Sequence, residues 1–308
     1  MRPAKKPVSI IAFPSNLGLI EPAPGREPGV KKLPEALKKY GFYDLINPQE
    51  EISLEPPPYT MNLDLVSNMR NTNAIATYAV GQSAVIREVV SRKNFALVLG
   101  GDCSILIGNS LALKQLGHYK LFFIDGHTDF MWPSLSSTHG VAGMDLAIAT
   151  GHGHALLADI DGCMPYFKEE DTWCVGNREY HPDYVAAIEN TAIHYHDLKS
   201  LRMSGVSSCV EAFLQSLNTE SPDGFWVHLD VDVLDPLIMP AVDSPDPDGL
   251  TYAELNVMLE SLLWHPLCTG MEITILDPDL DPEGKNIREF IDRVGTTIQQ
   301  VLTRPKNR

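Results

Sequence analysis

Two apolar runs in this chain end in carboxylates, and that pairing constrains the fold more than any other feature of the sequence. The first is Leu121-Phe-Phe-Ile124, which runs into Asp125-Gly-His-Thr-Asp129. The second is Phe225-Trp-Val-His-Leu229, which runs into Asp230-Val-Asp-Val-Leu-Asp235 and then Pro236. Short apolar runs of this kind read as buried strands. Strand alternation sends Asp230 and Asp232 out on the same side, and Pro236 ends the element because it has no N–H for a sheet ladder. Neighbouring carboxylates both ionise readily only when a cation lies between them. Asp125, His127 and Asp129 form a carboxylate, imidazole, carboxylate comb of the kind that suits Mn²⁺, Fe²⁺ or Zn²⁺. Either stretch alone could be an acidic turn. Together they bring five ligands to the carboxyl ends of two strands, where open parallel sheets carry their sites. Five exceeds what one ion needs, so the pattern predicts a two-metal site.

The rest of the chain alternates strands and helices. Val8–Phe13 is a first buried strand. Residues 14–29 form a Pro- and Gly-rich loop, and Val30–Tyr40 has helical spacing. Residues 46–60 read as a surface excursion without an element, and 62–92 as one long helix or two. Phe95–Leu99, Leu121–Ile124, Thr172–Val175, Ala192–His196, Phe225–Leu229 and Cys268–Thr274 are strand candidates. Helices are expected over Ile105–Leu116, Ser207–Leu217 and Asn286–Leu302. Another begins at Thr251, where Glu254 completes a capping box. His152 and His154 read as loop or surface histidines. There is no internal repeat and no linker. The alternation predicts one α/β domain over 1–308, with a doubly wound, mostly parallel sheet.

A net charge of −16 argues against nucleic acid or an anionic membrane as partner. No apolar run reaches the roughly 18 residues of a spanning helix. The basic start, Met1 to Lys6, leads into an apolar stretch too short for a secretion signal. The five cysteines, Cys103, Cys163, Cys174, Cys209 and Cys268, lack a framework spacing. They predict reduced thiols and a cytoplasmic protein.

The chain resembles the ureohydrolase (arginase/agmatinase) family over nearly its whole length. Five motifs carry the resemblance, in the family's order: Gly100-Gly-Asp-Cys-Ser104, Asp125-Gly-His-Thr-Asp129, Gly176-Asn-Arg-Glu179, Asp230-Val-Asp-Val-Leu-Asp-Pro236 and Met271-Glu-Ile273. The resemblance implies a three-layer α/β/α sandwich, a binuclear Mn²⁺ centre, and hydrolysis of a guanidino C–N bond with release of urea. It also implies a homo-oligomer, trimeric or hexameric. Carried over, Asp125 and Asp230 bridge the two ions, Asp129 and the residue at 103 hold the first, and His127 with Asp232 holds the second. Glu272 matches the acid that contacts the guanidinium group, so Glu272, His139 and Asp129 form the implied catalytic set. Two cations about 3.5–4 Å apart acidify a shared water and deliver hydroxide at neutral pH.

Several positions depart from the family pattern. Its first metal-ligand histidine is replaced by Cys103. A thiolate with Asp125, Asp129, Asp230 and Asp232 makes five negative charges against two dications, which raises the pKa of the bridging water. It also favours Zn²⁺ or Fe²⁺ over Mn²⁺. The proton-carrying histidine falls on His139 in the agmatinase-like register and on Ala142 in the arginase-like one. At the substrate's tail the chain has Met131 and His181 where arginases place an asparagine and an aspartate. Free arginine is therefore not the expected substrate, and an agmatine-like amine, a guanidino acid or an N-hydroxyguanidine is. Two other readings stand beside this one: a catalytically weak scaffold of the same fold, and a hydrolase of another amide or amidine bond.

Overall fold

The computed structural model describes residues 6–303, so the basic residues 1–5 lie outside it. Eight strands form one sheet. They are β1 (Val8–Ala12), β2 (Glu50–Ser53), β5 (Phe95–Leu99), β6 (Tyr119–Ile124), β7 (Thr172–Val175), β8 (His194–His196), β9 (Gly224–Asp230) and β10 (Cys268–Thr274). The short strands β3 (Leu63–Asp64) and β4 (Met69–Arg70) pair only with each other. The large sheet runs in the order β2-β1-β5-β10-β9-β6-β7-β8, and every neighbouring pair in it is parallel. β5, β9 and β10 are buried at every position because helices cover both faces.

Alternation divides the strand residues between two cores. Leu97, Phe122, Val227 and Met271 pack with Phe213, Leu255 and Ile298 from the helices Val206–Glu220, Tyr252–Trp264 and Thr296–Thr303. Val98, Phe123 and Trp226 point the other way, onto Tyr78, Ile86 and Leu106 of the helices Thr72–Ser91 and Ile105–Leu116. The result is the expected α/β/α sandwich. The capping box at Thr251 forms in both directions with Glu254.

Three local expectations are corrected. Residues 46–60 contain an edge strand, β2, whose exposed Glu51 and Ser53 break the apolar signature of a strand. The 62–92 stretch is helical only from Thr72, after the β3–β4 hairpin. The closing helix contains a π-helical turn at Ile291–Gly295.

Candidate metal centre

Parallel register builds the site. Phe123 on β6 and Glu272 on β10 both stand beside His228 on β9. Two residues further on, Asp230 stands beside Thr274, and Asp125 leaves the end of β6. Cys103 reaches the same place from the turn after β5. Its thiol donates to Asp230 Oδ2 at 2.7 Å and to Thr274 Oγ1 at 3.3 Å. Asp232 arrives differently from the expectation of simple alternation. β9 ends at Asp230, residues 231–233 make a 3-10 turn, and the Asp232 N–H donates to Asp230 Oδ1 at 2.8 Å. Asp232 then accepts from the Gly126 N–H at 3.1 Å and lies 3.0 Å from His127 Nδ1. A Cβ on Gly126 would come within 2.3 Å of the Arg178 guanidinium and 2.8 Å of the Asp232 carboxylate, so a larger residue there would displace both side chains. Arg178 clamps the layer from below by donating to the carbonyls of Asp232 at 2.7 Å and Asp246 at 3.1 Å.

Three overlapping donor groups each have their ligand atoms within 4.8 Å of one another. They are Cys103, Asp125, His228 and Asp230; Asp125, His127 and Asp129; and Cys103, Asp129 and Asp145. Nearly all of these side chains are buried. Asp125 Oδ2, His228 Nε2 and both carboxylate oxygens of Asp145 are buried without a hydrogen-bond partner. Such atoms are costly unless something answers them, and divalent cations fit both the donor types and the orphaned lone pairs. Burial pushes the carboxyls of Asp125, Asp129, Asp145 and Asp230 up, and the neighbouring acids add to it. Burial also raises the Cys103 thiol, with Asp230 contributing next. Asp232 moves the other way: burial opposes ionisation, but the adjacent His127 holds its carboxyl below the usual range.

A cleft of about 600 Å³ opens above this floor. Cys103, His127, Asp129, Asp230 and Asp232 reach it, and Met131, Ala142 and Ile275 form part of its wall. Glu21, Glu179, Asp243 and Asp246 make it acidic, and among the described residues no Lys or Arg lines it. Burial raises the Glu179 carboxyl, and its Oε2 has no partner.

The six residues expected as ligands converge, and Met131 is part of the cleft lining. Three other expected site residues lie outside the cleft lining. His139 turns away: its Nδ1 lies 3.0 Å from the Asn68 carbonyl, its backbone is left-handed, and Ala142 takes the place at the wall. His181 caps the helix Pro182–Glu189 and is exposed. Glu272 is fully buried beneath the ligands, 2.7 Å from His228 Nδ1, and its other oxygen accepts from Asn109. It does not line the cleft, whereas Ile275, three residues on, does. Sequence reading missed His228, Asp145 and Glu179. For His228 a signal existed, since it lies two residues before Asp230 and so on the same strand face.

A parallel α/β/α sandwich with acid-tipped strands meeting under an acidic cleft defines a class of metal-dependent hydrolases. The chain belongs to the arginase family, whose model matches residues 6–297. These are hydrolases that act on amidine C–N bonds of small guanidino substrates and use a binuclear divalent-metal centre. The arginase of Bacillus caldovelox is 30% identical over 310 residues, spanning 96% of this chain and 99% of its own. Its native crystal structure superposes with a TM-score of 0.84 at 28% identity, covering 95% of this chain and 98% of that one. The agmatine ureohydrolase of Thermoplasma volcanium shares the fold alone, with a TM-score of 0.64 at 16% identity over 97% of this chain and 91% of its own. No helix among the described residues is long and apolar enough to cross a membrane.

Proposed function

We propose that this protein releases urea from a guanidino compound whose tail is cationic or apolar, with two ions held by Cys103, Asp125, Asp129, Asp230, His127 and Asp232. The observation that carries the substrate reading is the cleft itself, with four further acids, Met131 in its wall and, among the described residues, no Lys or Arg. A guanidinium group and an amine tail both gain from such a field. A tail carboxylate would meet no cation there, which favours an agmatine-like amine over a guanidino acid or free arginine.

Bound ions would supply an acidified water at neutral pH. The chain's own part is to hold and orient. Asp125 and Asp230 leave adjacent strands side by side, where both would help hold the ions. Asp129 binds towards Cys103, and the 3-10 turn delivers Asp232 to His127. With no uncommitted imidazole among the described residues of the cleft wall, Glu179 is the group that would hand a proton to the leaving amine and regain one from the attacking water. Its half-buried, raised carboxyl is suited to that exchange. The thiol favours Zn²⁺ or Fe²⁺, and Mn²⁺ remains the family's ion. We also assign a homo-oligomer, trimeric or hexameric, in a reducing cytoplasm. All five cysteines are free, which supports the second part.

The test is metal content per chain on protein purified without chelator, with urea assayed across arginine, agmatine-like amines, guanidino acids and N-hydroxyguanidines. Two ions and fastest turnover of an amine-tailed substrate are expected. Arginine as the best substrate overturns the tail assignment. Two ions without urea from any compound would favour the scaffold reading or another amide bond, which the missing cleft imidazole at Ala142 makes the leading alternative.

A further inference from the structure

The histidine absent from position 103 has a counterpart in space. His228 lies in the interior of β9, fully buried, with its ring stacked on Phe123 at 4.3 Å between centroids and 8° between planes. Its Nδ1 lies 2.7 Å from Glu272 Oε1. Glu272 is itself tied to Asn109. A carboxylate at Nδ1 takes the ring's N–H and leaves the Nε2 lone pair pointing away from it. That lone pair faces the acid cluster. Nε2 lies 3.7 Å from Asp125 Oδ2, and neither atom has a hydrogen-bond partner. The gap is too long for a hydrogen bond. It is, however, the spacing of two donors that share an ion, since ligand atoms each about 2.1 Å from one cation stand roughly 3–4 Å apart. Cys103 and Asp230 complete the group within 4.8 Å.

We infer that His228, through Nε2, is a ligand of the first ion together with Cys103, Asp125 and Asp230, and that Glu272 orients its ring. This rests on the metal-dependent reading above. The arrangement is a carboxylate, histidine, metal relay, in which the outer acid fixes the tautomer and the ring plane. With Asp129 beside Cys103, the first ion would have one imidazole, one thiolate and three carboxylates, donors that suit Zn²⁺ or Fe²⁺. The arrangement also gives Glu272 a role that its position below the cleft allows. Asp125 then stands between His228 on the β9 side and His127 on the other.

The experiment uses the full chain, stripped with chelator and reloaded with Co²⁺. Ion stoichiometry is measured by elemental analysis, and coordinated imidazoles are counted by NMR as strongly shifted, exchangeable ring N–H signals. Wild-type protein should bind two ions and show two such signals, one each from His127 and His228. His228→Gln should lose one signal and weaken the tighter ion by about 100-fold or more. Glu272→Gln should retain both signals and weaken that ion by about 10–100-fold. The wild-type count does not depend on any variant folding. Two ions with a single coordinated imidazole overturns the assignment and leaves His228 as a protonated bridge between Asp125 and Glu272. Unchanged affinity in a folded His228→Gln protein overturns it too. Wild-type protein that takes up no ion overturns both this assignment and the metal-dependent reading on which it rests.

Discussion

Glu272 and His228 are neighbours across the β10–β9 ladder, and their 2.7 Å contact faces the interior of the sheet sandwich, away from the substrate cleft. The acid that the Met271-Glu-Ile motif suggests for guanidinium recognition therefore lies one layer below the reaction space. Replacing Glu272 with Ala strips partners from both His228 and Asn109 in a dry environment. The expected cost is about 2–4 kcal/mol of stability. Chemical denaturation of the metal-free protein checks this. A loss under about 0.5 kcal/mol, within the range of ordinary surface substitutions, would show that the pair is not structural.

Asp230 touches Cys103 and Asp232 at once. Asp230→Ala should reduce urea release to background. It should also shrink the rise in melting temperature that added Mn²⁺ gives the wild type, because stabilisation by a ligand follows its affinity. An undiminished thermal shift in this variant would remove Asp230 from the ligand set.

Cys103 sits at the inner end of the cleft, with its thiol raised by burial and by Asp230. Cys103→His replaces a soft anion with a borderline neutral donor. The ratio of Mn²⁺ to Zn²⁺ affinity should rise by about ten-fold or more, read by competition titration. An unchanged ratio would mean that the sulfur does not touch metal.

The metal-free protein should weaken as pH rises. Asp125, Asp129, Asp145 and Asp230 have folded-state carboxyls raised above their unfolded values, chiefly by burial. A raised group contributes stability that is fully present below its unfolded value, near 4, and lost as pH climbs through the folded one. Asp232 and Asp246, held low by His127, act in the opposite sense, but the fully buried raised acids outnumber them in the site. Melting of chelated protein between about pH 5 and 8 should therefore show a falling midpoint. Metal-loaded protein should not fall, because ions bind the deprotonated donors. A rising midpoint without metal would contradict the burial of these acids.

His139 and Glu179 separate the two registers for the proton carrier. His139 is turned onto the Asn68 carbonyl, so His139→Asn, which tolerates the left-handed backbone, should leave kcat within about two-fold. Glu179→Gln should lower kcat by about 10²-fold or more, with a smaller change in KM. The reverse ranking, measured as steady-state urea release, would return the role to His139.

The sequence alone determined the sheet's strands other than β2, the capping box at Thr251 and the two acid-tipped combs. Each is a local pattern, a run of apolar residues or an alternation, that one stretch of chain displays by itself. The edge strand β2 was not legible, because a strand paired on one side alternates with exposed Glu and Ser. Motif matching carried Glu272 into the cleft and left His139 open. Neither can be judged without the register of β10 against β9 or the turn that points His139 at Asn68. Tertiary structure alone decided that Asp232 arrives by a 3-10 turn, that Asp145 joins Cys103 and Asp129, and that His228 faces Asp125 beneath them. These relations join residues up to more than a hundred positions apart. They are set by which strands lie side by side and how far each runs, quantities that no single segment encodes and that only the packed sheet fixes.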